Sequence, residues 1–425
     1  MSSAGPEADR SRVLLTGAAG YIGSHVHRAL RAAGHEVIAV DAMLESVHGS
    51  NAAAPQDVSR LDIRDHEALE PLLAGIDVVC HLAAAVPPAE IPVRVGAVGE
   101  SSRERPAGGD GQRGTDRPDG AAAGRREDIG HGVGPCVRGP SGDSGSDAQK
   151  TGALGMARAA EYATHNDAGT AVLLAAMERA GVRRLVLGSS VAVYGEGRYR
   201  GVRSGPFFPG LRRRGDLDRG LFDHRAPRTG EVLTWEPIPE DSPLRPRSAY
   251  AASKVAQEHY ALAWVANTGA SATVLRYGQV YGAPVESGNG GRSAESGVVA
   301  RFRADLIAGR APRIFEDGGQ VRDFVQVRDV AAATLAAIDH QLTGFVPLNI
   351  ASGRPLTLWE VASTMSKAVG GPDPVVTGQY RLTDIRHLVV NSERARHALD
   401  FTARIAPATG LVDYAKYDSG RREHP

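Results

Sequence analysis

Net charge is what this chain lacks first. Among its 425 residues Lys+Arg and Asp+Glu both number 49, for a formal net charge of +0. A neutral chain has no overall field to draw it to a polyanion, so neither nucleic acid nor an anionic membrane is expected as a partner. Cysteine is scarce: Cys80 and Cys136 are the only two, and they make no disulfide framework. No run is long and apolar enough to span a bilayer, and the opening MSSAGPEADRSR has no apolar signal region. These absences predict a soluble, cytoplasmic protein. No internal repeat is apparent. The length allows a large core and more than one domain.

What is present centres on residues 13–25, VLLTGAAGYIGSH. A short apolar run ends at Thr16, Gly17, Gly20 and Gly23 follow, and an amphipathic helix pattern begins at Tyr21. Glycine permits a sharp turn and leaves no Cβ in the way of a phosphate. The N–H groups that open a helix are unpaired and partly positive, which suits a pyrophosphate. A tight turn of small residues with no ligand is the bland alternative. The context weighs against it: a strand before, a helix after, and Asp41 at the end of the next strand, where a dinucleotide fold places a carboxylate on ribose hydroxyls. An acid there favours NAD over NADP.

The rest of the chain alternates strands with helices. Strands are expected at 13–16, 37–40, a short one ending near Leu61, 77–82, 185–187, 273–276 and 322–327, and 349–353 reads as a turn after a strand. Helices are expected at 21–33, 65–73 with Asp65 as cap, 157–181 with an interruption near 166–169, 249–267, 298–308, 329–340 and 356–369 with Thr357 as a candidate cap. Alternation of this kind indicates an α/β fold with a doubly wound parallel sheet. The strand at 77–82 runs into Ala83, Ala84 and Ala85, whose small side chains leave room for a cofactor across the sheet edge. Residues 12–86 and 156–276 form the expected NAD-binding Rossmann domain, and 277–420 a smaller, mainly substrate-binding part. Residues 87–155 are Gly-, Arg-, Ser- and Pro-rich with almost no aliphatic periodicity. They read as a disordered insert or as the product of a shifted reading frame. A second insert, 197–239, reads as an irregular surface excursion. Its Arg212–Arg214 run leaves a phosphate loop as the weaker alternative.

A second signal is YAASK at 250–254. Residues four apart share a helix face, so the Tyr250 hydroxyl and the Lys254 ammonium can project to one site. A phenol titrates near pH ~10 in water. A nearby ammonium and an oxidised nicotinamide ring, both positive, favour the phenolate and so create a base for an alcohol proton. Ser190, at the end of the strand leading into GSSVAVYG, can hold the substrate oxygen. Alone, the Tyr–Lys spacing would be a common accident of surface helices.

Taken together, TGAAGYIGSH (16–25), Asp41, LDI (61–63), HLAAA (81–85), GSSVAVYG (188–195), YAASK (250–254), LRYGQVYGAP (275–284), RDFVQVRDVA (322–331) and NIASG (349–353) resemble the extended short-chain dehydrogenase/reductases of the NAD-dependent nucleotide-sugar epimerase/dehydratase family. That resemblance implies Tyr250 as base, Lys254 as its modulator and a ribose contact, and Ser190 as the orienting hydroxyl. It implies NAD held by Gly17, Gly20, Tyr21, Ile22, Gly23 and Asp41, with Asp62 and Ile63 beside adenine. Ala83, Ala84, Ala85, Asn166, Ser189 and Tyr277 would line the rest of the cofactor site. Gln279, Arg322 and Arg381 would meet the substrate, the arginines through its diphosphate. The family's dehydratases carry an Asp–Glu pair after the catalytic Ser or Thr; here Val191 and Ala192 stand there, and neither moves a proton. The resemblance therefore points to an epimerase acting on a nucleotide sugar, inverting C4, in a homodimer. A nucleotide-sugar dehydrogenase or ketoreductase with net redox is the alternative. A catalytically idle NAD-binding regulatory protein is a more distant one.

Overall fold

The computed structural model describes residues 10–87, 96–97, 154–285 and 297–417. The stretch expected to be a disordered insert lies almost wholly outside the described residues. The core is a seven-stranded sheet of β1 (Arg12–Thr16), β2 (Glu36–Asp41), β3 (Ser59–Arg60), β4 (Val78–His81), β5 (Arg184–Ser190), β6 (Ser271–Tyr277) and β7 (Phe345–Ile350). Its spatial order is β3-β2-β1-β4-β5-β6-β7, and every neighbouring pair is parallel. The order reverses between β1 and β4, so a crevice opens beyond their carboxyl ends. The seventh strand, 345–350, is the one expected ahead of the turn at 349–353, and it runs two residues into that stretch.

Strand side chains alternate between two covered faces. Val13, Leu15, Val78 and Cys80 pack with α1 (Tyr21–Ala32) through Val26 and Leu30, and with α4 (Val327–Asp339) through Val330 and Ala337. Leu14, Val79 and Leu187 pack with α2 (Gly169–Ala180) through Leu173 and Met177, and with α3 (Ala249–Thr268) through Ala261 and Trp264. Both faces of each central strand are therefore dry, which is why these strands read as apolar runs. The interruption expected near 166–169 is a π-helical turn, Ala163–Ala168, leading directly into α2.

A third cluster, built on Phe302, Phe324, Met365 and Leu411, makes the core of the C-terminal part. There Val321–Arg322 pairs with both Leu356–Thr357 and His387–Leu388. Thr357 caps the helix Leu358–Val369 in a full capping box with Glu360.

The stretch 197–239 departs from the reading as an irregular excursion. It folds into a small antiparallel sheet, Gly205–Phe207, Arg198–Gly201 and Thr234–Glu236 in that order. Tyr199 is fully buried against Leu233 and Ala226. Of the Arg212–Arg214 run, Arg212 is buried and donates to Glu316 Oε1 at 2.6 Å. Buried and paired, the Arg212 guanidinium is structural, while Arg213 and Arg214 are exposed.

Candidate active site

At the crevice, Gly17 adopts φ +75, and a Cβ there would lie 2.6 Å from the Ala83 amide nitrogen. A Cβ on Gly23 would collide with the Gly17 carbonyl oxygen, and Gly20 caps α1 with no side chain. The turn is thus packed so tightly against the end of β4 that only glycine fits, and it aims the start of α1 into a cleft of about 440 Å³. That cradle fits a pyrophosphate: backbone donors, no side chain in the way, and a helix N-terminus behind. Gly17, Gly20, Tyr21, Ile22, Gly23, Asp41, Ala83, Ala84, Ser189, Ser190, Tyr250, Lys254, Tyr277 and Gln279 all line this one cleft. A narrow extension of it is bordered by Asp62, Ile63 and Ala85.

The side chains do not all face it as the sequence suggests. Asp41 accepts from the Ala19 amide at 3.1 Å and the Met43 amide at 2.8 Å, and His48 Nε2 lies 3.2 Å from it. The carboxylate therefore fastens the glycine turn to the loop after β2 as well as bordering the cleft. His48 was not singled out in the sequence, because nothing in its spacing from Asp41 sets it apart. Asp62 is gripped by Arg64 through its backbone amide and its guanidinium, the shortest contact being 2.6 Å.

Four of the expected side chains are engaged elsewhere. Asn166 is fully buried behind the cleft: its Oδ1 accepts from the Ala85 amide at 2.7 Å, and its Nδ2 donates to the Ala85 carbonyl and the Ser253 hydroxyl. A buried amide satisfies its own donors and acceptor first, so Asn166 clamps the end of β4 to α3. The Ser189 hydroxyl turns into the core and donates to Glu258 Oε1 at 2.5 Å. Arg322 donates to the carbonyls of Val321, Ile385 and Arg386, and it does not border the cleft. Arg381 stacks on Phe315, with its guanidinium carbon 4.9 Å from the ring centroid and Asp384 3.8 Å away. Both arginines are held on the wall of the C-terminal part, where backbone carbonyls and an aromatic face engage them.

Tyr250 and Lys254 lie one turn apart near the start of α3, which Ser248 caps by accepting from the Ala251 amide. No hydrogen-bond partner meets the Tyr250 hydroxyl among the described residues. Its ring meets Tyr162 edge-on at 5.9 Å between centroids. Lys254 Nζ donates to the Gly188 carbonyl at 2.9 Å and lies 5.9 Å from the centre of the Tyr250 ring. Burial, with a smaller contribution from Tyr162, pushes the Tyr250 phenol well above its ordinary value. Burial brings Lys254 down to about 8, against an opposing pull from Glu258. In the protein by itself, without the nicotinamide charge that the sequence reading also invokes, desolvation outweighs Lys254 and favours the protonated phenol. Ser190 accepts from the Ala192 amide at 3.2 Å and opens the short 3-10 turn Val191–Tyr194. Leu44, Val86, Val280 and Leu388 also border the cleft and were not singled out; they are scattered along the chain and carry no motif.

The position of α3 is fixed by a buried polar network. Glu258 pairs with Arg276 of β6 at 2.6 Å, and Arg276 also donates to the Tyr194 hydroxyl and the Glu240 carbonyl. Tyr194 in turn donates to Asn349 of β7 at 2.7 Å. One residue earlier on α3, Gln257 donates to Thr170, which meets His81 Nε2 at 3.0 Å; His81 Nδ1 meets Thr16 at 2.7 Å. Burial drives His81 down to about 3, so the ring is neutral and serves as a strut between β1, β4 and α2.

Comparison with known proteins agrees with this geometry. The NAD dependent epimerase/dehydratase family matches residues 13–91, 147–209 and 228–351. Over 235 residues the chain is 32% identical to a dTDP-L-rhamnose 4-epimerase of Burkholderia thailandensis, covering 55% of this chain and 62% of that protein. The alignment thus spans less than two thirds of that relative. A UDP-glucose 4-epimerase of Azospirillum brasilense is 25% identical over 94% of this chain and 90% of its own length. Among solved structures, MoeE5 in complex with UDP-glucuronic acid and NAD superimposes with TM-score 0.61 at 25% identity, covering 95% of this chain and 98% of that one. A Thermotoga maritima UDP-glucose 4-epimerase superimposes at TM-score 0.62 and 24% identity, covering 96% and 98%, a likeness of fold. No described helix is long and apolar enough to cross a membrane. With well over half of its length matched, glycine cradle and YAASK helix included, the chain belongs to the NAD dependent epimerase/dehydratase family.

Proposed function

We propose that this protein is a nucleotide-sugar epimerase that inverts C4 through a transient keto sugar. One observation carries the reading: Tyr250 and Ser190 open into the same cleft as the Gly17–Gly23 cradle, while Val191 and Ala192 stand where an elimination would need a proton-transferring pair. The two relatives named above as 4-epimerases support it. Gly17, Gly20, Tyr21, Ile22 and Gly23 would hold the NAD pyrophosphate, Asp41 the ribose, and Asp62 and Ile63 the adenine end. Bound NAD supplies a reversible hydride acceptor and a positive charge beside the buried phenol, which favours the phenolate. Tyr250 then takes the proton of the sugar hydroxyl and later returns it, and Ser190 holds that oxygen throughout. The keto sugar presents its other face before it is reduced, so the reaction is redox-neutral. Lys254 keeps β5 and α3 together through Gly188 and adds positive charge to the cleft floor. The same reading takes the protein as a homodimer, which native mass measurement checks.

Incubation with UDP- and dTDP-hexoses, followed by separation of the epimers, tests the proposal. Tyr250→Phe removes a general base and is expected to cost roughly 10²–10⁴-fold in turnover. Unchanged epimer formation in that variant contradicts the assignment. Steady release of NADH from added NAD would favour the net-redox alternative.

A further inference from the structure

Apolar side chains border the cleft next to Ser190. Val86, Pro87, Val191, Ala192, Val280 and Leu388 all border the cleft. Val191 and Ala192 follow Ser190 directly, so they flank the group that would hold the sugar oxygen. Leu388 lies in the strand paired with Val321–Arg322 and packs with Val191 in a single apolar cluster. Most polar side chains near the YAASK helix are already engaged. Ser189 donates to Glu258, Lys254 to the Gly188 carbonyl, and Tyr277 meets Thr334 at 2.9 Å. Among the described residues, the Ser190 and Tyr250 hydroxyls and the Gln279 amide are what is left at this end of the cleft to meet a sugar.

From these observations we infer that the substrate is a 6-deoxyhexose nucleotide, with a methyl group at C5 in place of hydroxymethyl or carboxylate. The inference rests on the C4-epimerase reading. If C4 is held at Ser190 and Tyr250, C6 lies two bonds away and meets the immediate wall whichever ring face is presented. A methyl group gains by leaving water for that wall. Among the described residues a hydroxyl there finds no unengaged donor or acceptor in return for its lost water, and a carboxylate loses more, since the Lys254 ammonium that borders the cleft is already held by the Gly188 carbonyl. An apolar pocket discriminates against an added hydroxyl only modestly, by up to about 10²-fold.

Three UDP sugars that differ only at C5 test this: UDP-6-deoxyglucose, UDP-glucose and UDP-glucuronate. The dTDP pair dTDP-L-rhamnose and dTDP-L-mannose repeats the methyl–hydroxymethyl comparison with another base and ring configuration. The NAD-loaded full chain is assayed for epimer formation with each. The expected result is a kcat/KM for the 6-deoxy member about 10- to 100-fold above its hydroxymethyl partner, with UDP-glucuronate lowest. Ala192→Ser, which puts a hydroxyl on the wall, should narrow the first ratio severalfold. Equal turnover of methyl and hydroxymethyl sugars, or a preference for the uronate, overturns the inference and leaves the epimerase reading standing. No epimer from any of the five sugars overturns both.

Discussion

Burial acts on Tyr250 and Lys254 in opposite senses, and both effects have measurable consequences. Burial raises the phenol above its ordinary value, so added positive charge in the cleft would favour the phenolate. The Lys254 ammonium is depressed from 10.5 to about 8. Below pH 8 the lysine is charged in both folded and unfolded chains, and the folded one bears the desolvation cost. Between pH 8 and 10.5 the unfolded chain binds the extra proton, so stability rises with pH across that window, by about 3 kcal/mol in all. Lys254→Met removes the titration. Urea midpoints measured from pH 7 to 11 should climb more steeply for the parent than for the variant between pH 8 and 10.5. Parallel profiles would show that Lys254 is not the desolvated group described here. The YAASK spacing made this pair visible in the sequence, because i and i+4 on a helix is a local relation. The side chains of Asn166, Ser189 and Arg322 are engaged by partners from distant segments, which the sequence does not reveal. Asn166 closes on Ala85 and Ser253, 81 and 87 residues away, and no spacing rule reports that.

At the scale of elements, one buried ion pair stands within the polar network that locates the helix carrying Tyr250. Glu258 and Arg276 are 1% and 3% exposed, so neither can turn to water if its partner is lost. Glu258→Gln leaves the Arg276 charge buried without its counter-ion, and the expected loss is about 3–5 kcal/mol. Replacing both by leucine should recover much of it, since no charge is then stranded. Urea unfolding of the single and double variants checks this, and a double variant no better than Glu258→Gln would contradict it. The elements themselves were largely legible. The first glycine turn, the Asp65 and Thr357 caps and the apolar strands are local signals. The stretch 197–239 was not legible. Its strands are three or four residues long, rich in Gly and Arg, and too short for a period of two to emerge from them.

At the scale of the molecule, that stretch is bound to the C-terminal part by charges that meet across long sequence distances. Glu316 is fully buried and takes Arg212 on Oε1 at 2.6 Å and Arg386 on Oε2 at 2.9 Å. Arg386 also pairs with Asp317 at 2.7 Å and Asp223 at 2.8 Å, and its amide donates to Glu196 at 2.7 Å. Arg212 reaches further, to the Asp384 carbonyl at 2.9 Å. The segment that carries Arg381 and receives Arg322 is therefore held from the side of the small sheet. The two arginines of this network should not cost the same when removed. Arg212→Met leaves Glu316 still paired with Arg386, so a charge-assisted bond is lost without stranding the carboxylate; the expected loss is about 1.5–3 kcal/mol. Arg386→Met strips Glu316, Asp317 and Asp223 of one cation at once and should cost more, about 3–5 kcal/mol. Because Glu316 is buried, both losses should persist in high salt, where an exposed pair would be screened. Urea midpoints of the two variants at low and high ionic strength measure the order directly. An Arg212→Met loss equal to or above that of Arg386→Met, or losses that vanish with salt, would mean that the small sheet is not fastened to the C-terminal part through Glu316.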